Sequence, residues 1–129
     1  MPMHDILVVD DDRGIRDTLT ALLEHEGYGV RRAENGQVAL DMIRREPKPD
    51  LMLLDLMMPI LSGFELLEML EDGDPDLGRI PIFVVSAFNA PMTTTHGGGG
   101  VRRCFGKPFD VQALLGAIRD RFQAPEARV

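Results

Sequence analysis

Leu51-Met52-Leu53-Leu54-Asp55-Leu56-Met57-Met58-Pro59 is the stretch on which the reading of the fold turns. Its first four residues form an apolar run too short for a helix, which reads as a buried strand. Asp55 then projects from the strand's carboxyl end, where open α/β sheets place their chemistry. A second apolar run, Ile6-Leu7-Val8-Val9, ends in Asp10, Asp11 and Asp12. Two strands that both end in aspartate imply a shared acidic pocket.

Outward from these two strands the chain alternates. Further β-rich runs lie at Gly29–Ala33, Ile80–Val85 and, less sharply, Arg102–Phe105. Ile15, Leu19, Leu22 and Leu23 follow the spacing of an amphipathic helix, which Gly27 would end. Val38, Ala39, Met42 and Ile43 form a second stripe, opened near Asn35-Gly36 and stopped before Pro47. Phe64, Leu67 and Leu70 form a third, with Ser62 as its N-cap and an acidic outer face of Glu65, Glu68, Glu71 and Asp72. A last helix runs from about Asp110 through Val111, Leu114, Leu115, Ile118 and Phe122. Such alternation predicts an α/β fold: a parallel sheet with helices on both faces, joined by right-handed crossovers. Residues 1–123 read as one domain and residues 124–129 as a tail.

One segment breaks the pattern. Where a helix should follow the fourth strand, the chain reads Asn89-Ala90-Pro91-Met92-Thr93-Thr94-Thr95-His96, then four consecutive glycines. A helical glycine costs about 1 kcal/mol against alanine, so the run costs roughly 4 kcal/mol. The expectation is a fourth helix that is short or disordered.

Composition sets outer limits. At 129 residues, with 44% hydrophobic and 27% charged residues, the chain reads as one soluble, globular domain. A net charge of -7 argues against a nucleic-acid surface and suits a divalent cation. No apolar stretch approaches the roughly 20 residues of a membrane span, and the amino terminus lacks the basic start of a secretion signal. Cys104 is the single cysteine and has no internal disulfide partner, so a cytoplasmic location is the default. His4, His25 and His96 share no ligand spacing.

If the first and third strands are neighbours, Asp10, Asp11 and Asp55 converge. Two carboxylates 4 Å apart repel by about 4 kcal/mol at an effective dielectric near 20, so the cluster calls for a cation. All-oxygen ligands suit Mg²⁺, and also Mn²⁺, better than zinc. The fourth strand ends near Ser86, a hydroxyl donor, and the fifth is followed by Lys107-Pro108. Acids, a metal, a hydroxyl and an ammonium match a carboxylate nucleophile that accepts a phosphoryl group. Singly, each of these residues would ordinarily be a cap, a turn acid or a strand-end hydrogen-bonder. Together they describe one site.

Four pieces occur in one order: Val8-Val9-Asp10-Asp11-Asp12, Asp55-Leu56-Met57-Met58-Pro59 with Ser62-Gly63, Ser86-Ala87, and Lys107-Pro108-Phe109. In these the chain resembles the receiver domains of two-component response regulators, akin to the single-domain chemotaxis regulators, over nearly its whole length. The resemblance implies a flavodoxin-like sheet in the order 2-1-3-4-5. It implies that Asp55 is the phosphorylated nucleophile, that Asp11 binds Mg²⁺ directly and that Asp10 acts through water. The Met57 main-chain carbonyl would be a further metal ligand, Ser86 the switch hydroxyl and Lys107 the phosphate-binding lysine. The implied donor is a histidine kinase or phosphotransfer protein, and the implied output is altered binding of a downstream protein. Self-phosphorylation and slow dephosphorylation would then be the only chemistry.

The chain departs from the family where an aromatic residue usually stands three positions before the lysine; here that residue is Cys104. The expectation is that output uses an order–disorder change in residues 89–101 rather than a rotamer swap at position 104. Met57 and Phe88, both apolar, flank the expected approach of hydrolytic water, which predicts a slowly decaying phosphoryl group. Two alternatives compete. A pseudo-receiver would bind a partner without being phosphorylated. A phosphatase of the haloacid dehalogenase kind would use Asp10-Asp11-Asp12, but Arg13-Gly14 and the short chain fit it poorly.

Overall fold

The apolar runs pair into a single sheet. The structure is a computed structural model that describes residues 4–72, 80–87 and 100–123. In chain order it contains β1 (Asp5–Val9), α1 (Arg13–His25), β2 (Gly29–Ala33), α2 (Gly36–Arg45), β3 (Leu51–Leu54), α3 (Gly63–Asp72), β4 (Ile82–Ser86), β5 (Val101–Gly106) and α4 (Val111–Gln123). The sheet order is β2-β1-β3-β4-β5 and every pairing is parallel. This is the expected order, and it places β1 and β3 side by side, with Val9 level with Leu54.

The central strands bury both faces, so their apolar runs are continuous rather than alternating. Ile6, Val8, Leu51, Leu53, Phe83 and Val85 pack with Leu19 and Leu23 of α1 and with Leu114, Leu115 and Ile118 of α4. Leu7, Val9, Met52, Leu54, Ile82 and Val84 pack on the other face with Ala39, Leu40 and Ile43 of α2 and with Leu66, Leu67 and Leu70 of α3. Each strand therefore sends alternate side chains into two separate cores.

The helix signals resolve into specific caps. Asp12 accepts from the Ile15 amide at α1, and Asn35 accepts from the Val38 amide at α2. Ser62 and Glu65 cap α3 reciprocally, since each side chain accepts the other's backbone N–H. Asp110 accepts from the Ala113 amide at α4. Past α1, Gly27 takes φ +95° and Tyr28 N–H returns to the Leu23 carbonyl.

Three expectations need correction. The fourth strand begins at Ile82, not Ile80, and extends through Ser86. Pro81 has no N–H for the ladder, so regular pairing starts after it. The buried stripe of α3 is Leu66, Leu67 and Leu70, while Phe64 is 37% exposed. At 100° per residue, Phe64 lies roughly 110° around the helix from the middle of that arc. The fifth strand is longer than expected, Val101–Gly106, and carries a bulge opposite Ile82 and Phe83. The short or disordered fourth helix expected over residues 89–101 lies outside the described residues up to residue 99, as do Phe88 and His96; Gly100 and Val101 are described, and Val101 opens β5.

Candidate functional site

Four chain segments deliver the site, at the ends of β1, β3, β4 and β5. β1 ends at Val9, so Asp10 follows on the carboxyl edge of the sheet, with its N–H bonded to the Ala33 carbonyl at 3.1 Å. β3 ends at Leu54, and the Asp55 N–H bonds the Val9 carbonyl at 3.0 Å. β5 ends at Gly106, and the Lys107 N–H bonds the Ser86 carbonyl at 3.1 Å. Backbone pairing between neighbouring strands thus fixes the distances between acids, hydroxyl and ammonium.

The side chains then converge. Lys107 Nζ donates to Asp10 Oδ2 at 2.8 Å and reaches Asp55 Oδ2 at 3.4 Å. Asp10 Oδ1 accepts from the Asp12 N–H at 2.9 Å, and Asp55 Oδ1 accepts from the Met57 N–H at 3.2 Å. Asp10, Asp55 and Ser86 are buried, only 2%, 4% and 0% exposed. Asp11 is exposed at the rim. One carboxylate oxygen from each of Asp10, Asp11 and Asp55 lies within 4.8 Å of the others.

Electrostatics follow from this crowding. Burial pushes the Asp10 carboxyl above the ordinary aspartate range, and Asp55 adds to the rise; Lys107 and the Asp12 amide pull it back. Burial alone would depress the Lys107 ammonium, but its hydrogen bond to Asp10 and the charges of Asp10 and Asp55 outweigh that and hold it high. Lys107 therefore stays charged, one ammonium facing two buried acids. The remaining negative charge gives the cluster its demand for a cation. A hard divalent ion such as Mg²⁺ fits the donor chemistry, which is entirely carboxylate oxygen.

Gly63 sets the loop between β3 and α3. Its N–H bonds the Leu56 carbonyl at 3.1 Å, and a Cβ there would stand 2.2 Å from the Asp55 carbonyl oxygen. Only glycine lets the start of α3 press so closely on the backbone that carries Asp55.

The structure brings together Asp10, Asp11, Asp55 and Lys107 as the sequence suggests, with Ser86 at the end of the adjoining strand. Met57 follows in the same loop, its side chain 56% exposed. The Lys107–Pro108 peptide is cis. Two contributors were missed. Asp12 orients Asp10 through its amide while capping α1, which its position three residues before Ile15 could have shown. Arg16 Nη1 donates to the Asp10 carbonyl at 2.8 Å, a return of a long side chain that no spacing rule reveals. Cys104 is exposed on β5 and partial burial pushes its thiol up, away from the reactive thiolate.

A family model described as the response regulator receiver domain matches residues 6–119. The chain belongs to that family. Among curated proteins, the response regulator MprA of Mycolicibacterium vanbaalenii is 39% identical over 120 residues, covering 92% of this chain and 50% of the relative. MprA of Mycobacterium avium is 40% identical over 115 residues, covering 88% and 49%. The chain thus spans about half the length of the curated relatives it matches. Among solved structures, a Francisella response regulator receiver domain superposes with TM-score 0.81 at 25% identity, covering 95% of this chain and 99% of that one. A CheY-like receiver domain from Methanospirillum hungatei superposes with TM-score 0.78 at 30% identity, covering 92% of each. This receiver domain is a signalling domain of the two-component kind, with an acidic cluster able to hold a metal ion. No described helix is long and apolar enough to cross a membrane.

Proposed function

We propose that Asp55 accepts a phosphoryl group from a phosphohistidine on a histidine kinase or phosphotransfer protein, and that this acceptance switches binding of a downstream protein. The observation that carries the reading is the buried Asp55 carboxylate, 3.4 Å from Lys107 Nζ and beside Asp10 and Asp11. An Asp55 carboxylate oxygen attacks phosphorus as the P–N bond to the donor imidazole breaks; the departing nitrogen is protonated from solvent. Lys107 neutralises charge on the transferred oxygens and the Ser86 hydroxyl donates to one of them.

Asp11, Asp55 and the Met57 main-chain carbonyl would hold Mg²⁺ directly, with Asp10 acting through water. Lys107 and the Asp12 amide hold the Asp10 oxygens at 2.8 and 2.9 Å, tighter than the 3.4 and 3.2 Å contacts to Asp55, and Asp11 is exposed, which supports that division. When bound, the ion supplies charge neutralisation for the oxygens of the phosphoryl group. Residues 1–123 form the receiver unit in this reading and residues 124–129 its tail. Met57 offers no group that would orient a hydrolytic water, so decay is slow. Its companion in that expectation, Phe88, lies outside the described residues, as does most of the 89–101 segment expected to carry output.

Beryllofluoride with Mg²⁺ tests the reading against a pseudo-receiver that binds a partner without phosphorylation. The expected result is amide shift changes at Asp55, Met57, Ser86 and Lys107 that require the metal. An unchanged spectrum at saturating reagent would favour the pseudo-receiver.

A further inference from the structure

Beside the acidic pocket, the loop after β3 forms an open apolar cleft of about 350 Å³, lined by Leu56, Met57, Met58, Pro59, Ser62 and Phe64. Met57 is 56% exposed, and Ile60, next to Pro59, is 77% exposed. With Phe64 these are the exposed large hydrophobic residues among the described ones. They all fall within one eight-residue loop and helix start. Scattered exposed side chains are ordinary, but a cluster confined to one loop marks a contact surface.

Ile60 strengthens the argument. Its φ is +73°, and the Leu61 N–H bonds the Pro59 carbonyl across it at 2.8 Å, closing a γ-turn; a β-branched residue at its centre is an outlier that costs on the order of 1–3 kcal/mol. Asparagine or glycine would take that conformation with less strain. An isoleucine so exposed repays little of its strain by burial within this chain. Burial against another molecule would.

Charge then selects the occupant. Between Lys48 and Arg79 the sequence has no lysine or arginine, and the exposed Glu65 and Glu68 stand on the helix that borders the cleft. An apolar cleft with one-sided acidic flanks repels nucleic acid and anionic lipid headgroups, and it repels a second copy of a chain carrying net charge -7. It complements an amphipathic helix with apolar anchors on one face and Lys or Arg beside them.

We propose that the Met57–Pro59–Ile60 ledge and its cleft form a docking surface for a basic amphipathic helix of a partner protein. The inference does not depend on phosphorylation of Asp55 and can fail or hold separately from it. The probes are a fluorescein-labelled helical peptide with a leucine stripe and lysine flanks, and a twin with glutamate in place of lysine. Anisotropy should show the lysine peptide binding at least about tenfold more tightly, with binding weakened by salt. Amide shift changes should centre on residues 56–68. Ile60→Asn should weaken binding about tenfold while leaving melting temperature unchanged or higher, because asparagine relieves the strain. Met57→Gln should weaken it in the same direction.

Equal affinity for the two peptides overturns the proposal, as does no binding, or shift changes centred on another face. Sedimentation that reveals a dimer abolished by Ile60→Asn would assign the ledge to self-association instead. Binding to vesicles of acidic phospholipid abolished by the same variant would assign it to a membrane.

Discussion

Replacing Lys107 with methionine keeps an unbranched side chain one atom shorter and removes its charge. In the folded protein that ammonium lies 2.8 Å from Asp10 and 3.4 Å from Asp55, and its side chain is only 15% exposed. At an effective dielectric near 20, those contacts correspond to roughly 6 and 5 kcal/mol of attraction, against roughly 3.5 kcal/mol of repulsion between acids up to 4.8 Å apart. Much of the gross attraction offsets the lost hydration of the three groups. Removing one partner of such a buried pair typically costs 3–5 kcal/mol, and partial exposure of Lys107 argues for about 3 kcal/mol. Urea unfolding followed by circular dichroism, with EDTA present, should show the midpoint falling by about 2 M at an ordinary denaturant slope. Millimolar Mg²⁺ should return part of the loss, and the gain should exceed that of the unsubstituted protein, because the variant's cluster carries one more uncompensated negative charge. A loss under about 1 kcal/mol, or no gain from Mg²⁺, would refute the view of Lys107 as the internal counter-ion of the acidic cluster.

Gly63→Ala should destabilise by about 2 kcal/mol and weaken Mg²⁺ binding, since the new methyl must displace the backbone that carries Asp55; an unchanged unfolding midpoint would contradict this. Tyr28 is the single tyrosine and there is no tryptophan, so phenolate absorbance reports one group. Burial pushes its phenol up, Arg119 pulls it down and Glu26 raises it again, with the rise prevailing. Its contribution to stability is therefore complete below the free-tyrosine value and is lost as pH climbs through the higher folded one. A folded-state absorbance titration that coincides with that of free tyrosine would show the reasoning to be wrong. For the phosphorylated protein, Met57→Asn with Phe88→Glu should speed loss of the phosphoryl group several-fold, measured by intact mass over time.

The strand ends were legible because a parallel sheet buries both faces and leaves apolar runs with abrupt polar ends. Asp10 and Asp55 sit one residue past such runs, so the sequence alone brought them to one edge. Lys107 lies 97 residues from Asp10, and motif order rather than local pattern placed it there. Other features resisted. The position of Phe64 misled because spacing from Leu67 and Leu70 fits a helical stripe, yet Leu66 rather than Phe64 completes the buried arc. Arg16 folds back on the Asp10 carbonyl through four rotatable side-chain bonds, leaving no trace in residue order. The positive φ of Ile60, at the centre of a γ-turn, runs against the propensity of a β-branched residue, so nothing local announces it. The disagreement there marks the ledge proposed as a docking surface.

The most direct test of the account is covalent. Incubated with acetyl phosphate and Mg²⁺, the protein should gain the mass of one phosphoryl group, with fragmentation locating it on Asp55. The gain should vanish in Asp55→Asn and with EDTA. A phosphoryl group on Asp10 or Asp11, or one that persists in Asp55→Asn, would contradict the assignment of Asp55 as the acceptor.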